Sequence, residues 1–452
     1  MEGILTQEEI ALAQRCIGYS LDAGASAVRI TLNKSQTDLV GMLNGEVDKV
    51  THSLDRSLTL CLFADGRYGT FSLNRLSDEE AVREFIRSGI DTVRMLVPDP
   101  CRRLPDASRK VKDAVTGQEA GLFDAEGYAS LDAARRLELS RASSLWDRRE
   151  TVQKGFVILS EEGEYSDSVY DTLILDSEGL CCRHTETSFE IGYEVTVADP
   201  DGNRFSGFWW DATARLDDLM PSIRQCSENA TERAAAQIGP VDIPGGRMKI
   251  AVRSDCASKL LNPIFNALGG YALQQQNSFL GDTLGKAVFS ERLTVRDLPR
   301  SKGETGAKWF DSEGVASFDT PLIDKGVVRQ YFINTYISGK MGLEPTIEDC
   351  TRPVVSPTGD CTTEQDVLEL LEEGILVTGF NGGNNNTATG DFSYGIEGFA
   401  FSGGKITHPV REMLMTGNFL SLWKNLVAVA DDARPCLTRR IPTLAFKDVD
   451  IR

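Results

Sequence analysis

The chain has 452 residues, a formal net charge of −19 and only three histidines, with 41% hydrophobic and 25% charged residues. This composition is typical of a soluble globular protein of two or three domains, and no stretch approaches the roughly 20 apolar residues of a membrane helix. Because duplex binding rests on clustered Lys and Arg, the excess of acids argues against direct contact with nucleic acid.

The first segment alternates helical and extended patterns. Thr6 and Glu9 form a capping-box pattern, and apolar residues at helical spacing after them predict a helix. Strand-like runs follow at residues 28–32, 38–43, 57–63 and 68–73. Asp65-Gly66 predicts a hairpin turn, and a second capping pattern from Ser77 to Glu80 predicts another helix. We expect helices on one face of an antiparallel sheet.

A breaker-rich stretch at residues 97–106 predicts a linker. A helical pattern at 130–146 follows it, and turn signals between extended runs then predict an antiparallel meander over 169–210. A long helix over 216–238 closes this part of the chain. The expected N-terminal α+β region covers residues 1–238, with subdomains at about 1–105 and 119–238.

Glycine and proline at residues 239–246 mark the clearest domain boundary in the sequence. Beyond it we expect a Gly-rich, strand-rich C-terminal domain over residues 245–452. Its predicted elements are a strand at 248–252, a helix from Ser254 or Asp255, and strands at 327–335 and 376–380. The fold class predicted for the whole chain is therefore α+β.

The histidine count limits the chemistry. His52, His184 and His408 are too far apart to form a helical zinc motif, in which two imidazoles must face one metal ion. No P-loop and no G-x-S-x-G nucleophile elbow is present. The ten cysteines lack a C-x-x-C pair, which is typical of buried thiols in a reducing compartment, so we expect a cytoplasmic protein.

The most unusual stretch is residues 378–399, where glycines and asparagines lead into alternating small and aromatic residues. Glycine lets another backbone approach closely, and an extended peptide can add to an exposed strand. The candidate peptide-docking residues are Gly390, Asp391, Phe392, Ser393 and Tyr394. The alternative interpretation is a tight structural loop.

This stretch resembles the C-terminal signature of the TldD/PmbA family, once called modulators of DNA gyrase. Further segments resemble the family in the same order along the chain. They are residues 38–47, 273–280, 293–299, 311–314, 326–328 and 405–410. The resemblance therefore spans nearly the whole chain.

The resemblance implies a metal motif to look for. The catalytic branch of the family carries His-Glu-x-x-x-His on a helix after the first strand of the C-terminal domain, and a Cys ligand further on. The matching positions here hold Asn262, Pro263 and Asn266, which offer neither a good zinc ligand nor a general base. Cys436 lies too close to Pro442-Thr443-Leu444 for the ligand cysteine, so no metal role is assigned to it. The chain thus resembles the PmbA (TldE) branch, and we expect no metal or other cofactor in it.

For this branch the resemblance implies a non-catalytic subunit of a zinc metallopeptidase complex. A TldD-like catalytic subunit would hold the zinc, and the two chains would enclose a chamber in which unfolded peptides are degraded or matured, as in microcin maturation and antitoxin degradation. Without that subunit we expect a homodimer, since two-fold pairing is the commonest arrangement. Direct contact with nucleic acid or membrane is not expected.

Two alternatives stay open from the sequence. One is a regulatory binding protein that acts on gyrase or another partner without proteolysis. The other is an independent hydrolase with an unrecognised nucleophile, for which Ser278, Ser393 and Cys256 are the candidates.

Overall fold

The computed structural model describes residues 3–112, 114–152 and 155–452. It has a mixed α+β fold, which confirms the fold class predicted from the sequence. The chain forms two compact units. Unit 1 comprises the described residues through Ala235 together with Arg300–Ser317 and Ser338–Gly342, and unit 2 comprises Ala236–Pro299, Phe318–Ile337 and Leu343–Arg452. Within the described residues, no helix is long and apolar enough to cross a membrane.

Unit 1 is built on long antiparallel strands. Its strands are β1 (Ala27–Leu43), β2 (Glu46–Ala64), β3 (Arg67–Leu73), β4 (Val115–Thr116), β5 (Val157–Asp176), β6 (Cys181–Ala198) and β7 (Arg204–Thr213). Its helices are α1 (Gln7–Asp22), α2 (Glu79–Met95), α3 (Ala125–Ala129), α4 (Ala133–Ser143), α5 (Arg149–Val152), α6 (Leu216–Leu219) and α7 (Ser222–Ala236, whose last residue lies in unit 2), with a 3₁₀ turn at Trp146–Arg148.

The described strands of unit 1 form one sheet in the order β3-β2-β1-β5-β6-β4, with β7 also paired to β6. The apolar faces of α1 and α2 pack on β1, β2 and β3, where Ile30, Leu60 and Ile86 are fully buried. Asp65 and Gly66 both have positive φ, as a tight hairpin turn between β2 and β3 requires. The predicted helices on one sheet face and the predicted turn are thus confirmed.

The segment Arg300–Ser317 packs with unit 1 although it follows residue 245 in the sequence. Phe310 is buried in one apolar cluster with Ile174, Leu180 and Cys182. Burial of this ring removes apolar surface from water and holds the segment on the sheet. The domain boundaries at 238 and 245 stay a sequence-based prediction.

The carboxylate of Glu9 is a buried acceptor at the start of α1. It receives hydrogen bonds from the Thr6 amide at 2.8 Å, Arg56 Nη1 at 2.8 Å and Lys34 Nζ at 3.0 Å. Burial alone would raise the pKa of Glu9, but these donors outweigh it and lower the pKa to about 2.

We predict that Glu9→Gln removes a pH-dependent part of the stability. A depressed carboxyl pKa stabilises the fold above the unfolded value near 4.5, and this stabilisation is lost as pH falls toward 2. We expect Glu9→Gln to lower the free energy of unfolding by about 2 kcal/mol at pH 7, after solvent screening is taken into account. As the pH falls, the free energy of unfolding of the variant should decline less than that of the original chain. Urea unfolding between pH 7 and 2 measures this, with the exposed neighbour Glu8→Gln as matched control. Equal acid sensitivity in both variants would contradict the assignment.

Unit 2 combines many short strands with a few helices. Its strands are β8 (Gly246–Val252), β9 (Val295–Asp297), β10 (Thr320–Asp324), β11 (Val327–Val328), β12 (Pro353–Val355), β13 (Glu373–Phe380), β14 (Asn384–Asn385), β15 (Asp391–Ser402), β16 (Lys405–Asn418), β17 (Leu426–Val429) and β18 (Leu444–Ile451). Its helices are α8 (Ser258–Leu268), α9 (Gly270–Gln274), α11 (Glu364–Leu371) and α12 (Phe419–Lys424), and the residues of α10 (Thr335–Met341) divide between the two units.

The main sheet of unit 2 closes on itself. Its order is β13-β8-β18-β16-β15-β14, and β13 also pairs with β15, which completes a ring of five strands. Closure satisfies the backbone groups that an open sheet would leave unpaired at its edges. α11 covers part of the sheet through Val367, Leu368 and Leu371, and β9, β10, β11 and β12 form a separate small sheet.

Several predicted elements differ from the structure. The strand predicted at 327–335 stops at Val328. The apolar residues that follow are buried, but they do not form a continuous row of hydrogen bonds with a neighbouring strand. The helix predicted at 216–238 is broken next to Pro221, which lacks the backbone donor that a helix interior needs. The second helix is capped by Asp78, not Ser77, and its Oδ1 accepts from the Ala81 amide.

Candidate functional site

Helix α8 carries the positions matched to the metal motif. Its buried side faces the core through Leu260, Leu261, Ile264, Phe265 and Leu268. Lys259, Asn262 and Asn266 recur at spacings of three and four, so they share the opposite, polar face. Pro263 lies inside the helix and leaves the carbonyl of Lys259 without its usual i+4 donor.

The three motif positions differ in exposure and chemistry. Asn262 is half-buried, Pro263 is buried and Asn266 is exposed. The motif spacing places its second histidine five residues after the first, which falls on the fully buried Ala267. Among residues 3–112, 114–152 and 155–452, no three His, Cys, Asp or Glu side chains come together to hold a metal ion, and Cys436 is buried.

A guanidinium group lies against the polar face of α8. Nη1 of Arg439 donates a hydrogen bond to Oδ1 of Asn262, and Cζ of Arg439 lies 5.5 Å from the ring centroid of Phe265. The amide oxygen that could act as a weak metal ligand is therefore already an acceptor. A permanently charged cation at this place repels a second cation such as Zn²⁺.

The docking candidates lie at the start of β15, above an aromatic cluster. Phe392 and Tyr394 are buried, and Phe392 stacks on Phe419 with centroids 4.7 Å apart and on Tyr394 at 5.4 Å. Gly390 has a φ of +80°, and a Cβ there would lie 3.0 Å from the ring of Phe279. Glycine at this position lets the chain turn into the strand against that ring.

The polar candidates face away from this cluster. Ser393 is half-buried, and Asp391 accepts hydrogen bonds from Asn418 Nδ2 at 2.9 Å and Thr389 Oγ1 at 2.7 Å. These two donors, with Asn418 the larger contributor, lower the pKa of the exposed Asp391 carboxyl. Asp391 is thus an anchor for the turn that precedes β15.

The sheet edge expected at residues 391–394 is covered by the chain itself. Asn384 and Asn385 of β14 pair with Ser393 and Phe392, while β16 pairs with the other side of β15. Tyr394 OH donates to Asn385 Oδ1 at 3.0 Å and holds β14 in place. Among the described strands, β14 occupies the terminal position of this sheet, so the exposed edge lies one strand further out than expected. Peptide docking at Gly390–Tyr394 stays a prediction.

One contact joins the two regions that the sequence singled out. Nζ of Lys259 on α8 lies 4.7 Å from the ring centroid of Tyr394 on β15, a cation–π distance. Helix α8 is also tied down by Trp423, whose Nε1 donates to the carbonyl of Leu260 at 3.3 Å. The polar face of α8 and the strand pair β14–β15 thus form one continuous candidate site.

The candidate nucleophiles make structural hydrogen bonds. Cys256 Sγ donates to the carbonyls of Arg253 and Val377 at 3.4 and 3.6 Å, and Ser278 Oγ donates to the carbonyl of Ala267 at 2.5 Å. Ser393 pairs with Asn384 through the backbone. The bonds of Cys256 and Ser278 direct the thiol and the hydroxyl toward nearby carbonyls. Within the described part of the chain, no hydrogen bond joins the side chain of Ser278 or Ser393 to a histidine.

A Thr–His–Glu arrangement occurs elsewhere, in unit 1. Nδ1 of His184 lies 2.6 Å from Thr116 Oγ1, and its Nε2 lies 3.2 Å from Glu186 Oε2. Thr116 is 1% exposed and His184 is 5% exposed, so a substrate carbonyl cannot reach the hydroxyl. The group is best explained as a satisfied buried histidine that joins β4 to β6.

Comparison with protein families gives three consecutive matches. Residues 28–92 match PmbA/TldA metallopeptidase domain 1, residues 125–238 match the central domain, and residues 245–452 match the C-terminal domain. The chain is 24% identical to the metalloprotease PmbA of Escherichia coli O157:H7, covering 90% of this chain and 88% of that protein. It is 25% identical to the PmbA homologue of Haemophilus influenzae, with 91% and 88% covered.

Solved structures agree in fold. A Bacteroides thetaiotaomicron protein that carries the name modulator of DNA gyrase is 36% identical to this chain. The TM-score is 0.93, and 99% of both chains is covered. TldE of Thermococcus kodakarensis is 17% identical, with a TM-score of 0.83 and coverage of 97% of this chain and 99% of that one. The second likeness shows the shared fold alone.

Proposed function

The chain belongs to the PmbA/TldA metallopeptidase family, and we propose that it is the non-catalytic subunit of a two-chain zinc peptidase of this kind. The observation that carries the proposal is the Arg439–Asn262 hydrogen bond on α8. Zinc does not fit these residues: the amide oxygen is taken by a cation, and Pro263 and Ala267 have no ligand atoms. The metal and its bound water would belong to a TldD-like subunit that carries His-Glu-x-x-x-His.

In this proposal the chain holds unfolded peptide while the other subunit cleaves it. The docking elements are β14 and the start of β15, where main-chain groups at the sheet terminus can pair with an extended peptide. The aromatic cluster under Phe392 and Tyr394 keeps these strands rigid, which lowers the entropy lost on binding. Degradation or maturation of such peptides would take place in the cytoplasm.

We predict that the purified chain contains less than stoichiometric zinc and does not hydrolyse an unfolded peptide. Among residues 3–112, 114–152 and 155–452, no three His, Cys, Asp or Glu side chains come together as the protein ligands of a catalytic zinc, whose role would be to activate water. Metal analysis and a peptide-cleavage assay measure this on the chain alone and after mixing with a family member that carries the motif. Cleavage that appears only in the mixture and disappears with a chelator supports the proposal; stoichiometric zinc with cleavage by the chain alone contradicts it.

Partner identity is tested separately. We expect a pull-down from the native host to recover a related chain with the His-Glu-x-x-x-His motif. Light scattering on the chain alone should give the mass of a homodimer, since an interface built for a similar subunit can pair with a second copy. Recovery of topoisomerase subunits without the motif-bearing chain would favour a regulatory role instead.

A further inference from the structure

In the described part of the chain, Arg439 lacks the carboxylate partner that two other arginines have. Arg253 and Arg183 each make a bidentate contact with a carboxylate, at 2.6–3.1 Å to Glu364 and 2.6–2.9 Å to Asp171. The Arg439 guanidinium has the amide oxygen of Asn262 and the face of Phe265, and no carboxylate of the described residues lies within 4 Å of it. Four of its five N–H donors are left for other acceptors.

A second cation lies on the same helix face. Lys259 precedes Asn262 by three residues, about 4.5 Å along the helix axis. Its ammonium rests on the Tyr394 ring, and it too has no carboxylate within 4 Å among the residues described. Neither cation has an acidic partner within 4 Å among the described residues, although the chain as a whole has a net charge of −19. Partly buried charge is costly when uncompensated, so this arrangement favours an external anion.

We propose that Arg439, Asn262 and Lys259 form a carboxylate-binding site that takes the C-terminal carboxylate of an unfolded peptide. The planar guanidinium can donate two parallel hydrogen bonds to a carboxylate. The Asn262 amide keeps its own N–H donors, since only its oxygen accepts from Arg439. Lys259, about one helical turn before Asn262 on α8, adds a second positive charge.

The position of the site relative to β14 explains why a peptide end would reach it. Contacts run without a break from Asn385 on β14 to the Tyr394 hydroxyl, from the Tyr394 ring to Lys259, and along α8 to Asn262 and Arg439. In the proposed complex, a peptide paired along β14 continues toward the guanidinium. The inference rests on the proposed docking function and specifies which end of the substrate this chain recognises.

The test uses one unstructured, fluorescently labelled peptide without Asp or Glu, made as a free acid and as a C-terminal amide. Fluorescence anisotropy gives the affinity of both peptides for the full-length chain. We expect the free acid to bind at least about 10-fold more tightly, in line with hydrogen bonds between charged groups. Arg439→Gln should bring the two affinities together, and Arg439→Lys should retain part of the difference.

Control variants distinguish binding at this site from a general effect of charge and from a loss of folding. Arg329→Gln removes an exposed arginine that is paired with Asp324, and should leave the preference for the acid unchanged. Asn262→Ala is a second variant that should reduce the preference without changing a charge. Circular dichroism shows whether each variant keeps its fold.

Three outcomes would overturn the inference: equal affinity for acid and amide, no binding of either peptide, or a preference that survives in Arg439→Gln. An amidated peptide with one internal Asp that binds as tightly as the free acid would overturn the assignment to the chain end. The non-catalytic role is judged by zinc content and cleavage. A chain that binds both peptides alike, without zinc or cleavage, would keep that role and lose this inference.

Discussion

Replacing Phe392 with alanine is expected to lower the free energy of unfolding of unit 2 by about 3–5 kcal/mol, the usual cost of removing a buried phenylalanine ring. The ring is 5% exposed and stacks on both Phe419 and Tyr394. Its loss would leave a cavity beneath the start of β15 and remove two aromatic contacts. Urea unfolding followed by Trp423 fluorescence in an otherwise Trp-free background measures the change.

The same substitution should loosen the docking strands more than the rest of unit 2. β14 pairs with Phe392 through Asn385, so hydrogen exchange should rise first in the peptides that cover residues 384–394. Phe318→Ala is the matched control, because that ring is 61% exposed and its removal should cost less than about 0.5 kcal/mol. A loss in Phe392→Ala no larger than in this control would refute the assigned packing role.

Asp171→Asn is expected to destabilise unit 1 by about 3–5 kcal/mol, because it neutralises one member of a buried ion pair. Asp171 is 1% exposed and accepts two hydrogen bonds from Arg183, at 2.9 and 2.6 Å. It also accepts from the amides of Ile4 and Leu5 at 2.8 and 2.9 Å, which fixes the chain before α1. The amide keeps the shape of the side chain but loses the charge that faces the guanidinium.

Two measurements check this prediction. Chemical unfolding gives the change in stability, and limited proteolysis reports whether the residues before α1 are released from β5. Asp201→Asn is the control, since Asp201 is an exposed turn residue in the same unit. If both variants unfold at the same denaturant concentration, the buried pair makes no net contribution.

Local patterns were sufficient for much of the N-terminal fold. The Thr6–Glu9 capping box and the Asp65-Gly66 turn depend on residues that are neighbours in the chain, and both occur as predicted. Strand lengths were harder to predict. The runs 28–32 and 38–43 are one strand, Ala27–Leu43, because its polar middle is held by β2 and β5 on either side. Such pairing partners are distant in sequence and override local propensity.

The candidate site was likewise only partly predictable from the sequence. The unsuitability of Asn262 and Pro263 as a zinc ligand and a general base follows from residue type, so the sequence alone could indicate it. Arg439 was missed, because it is 177 residues from Asn262 and nothing in its own neighbourhood marks it. Strand β14 was also missed, since two asparagines have low strand propensity and pair only because β15 lies beside them.

By itself, the sequence determined the α+β class, the family resemblance and the lack of a recognisable metal motif, since each depends on residue type and on spacing along the chain. Only the tertiary structure decided that β14 occupies the terminal position of the sheet next to β15. It also brought Lys259 onto Tyr394 and placed Arg439 against Asn262. These features depend on contacts between residues far apart in sequence, which chain folding creates and no local pattern encodes.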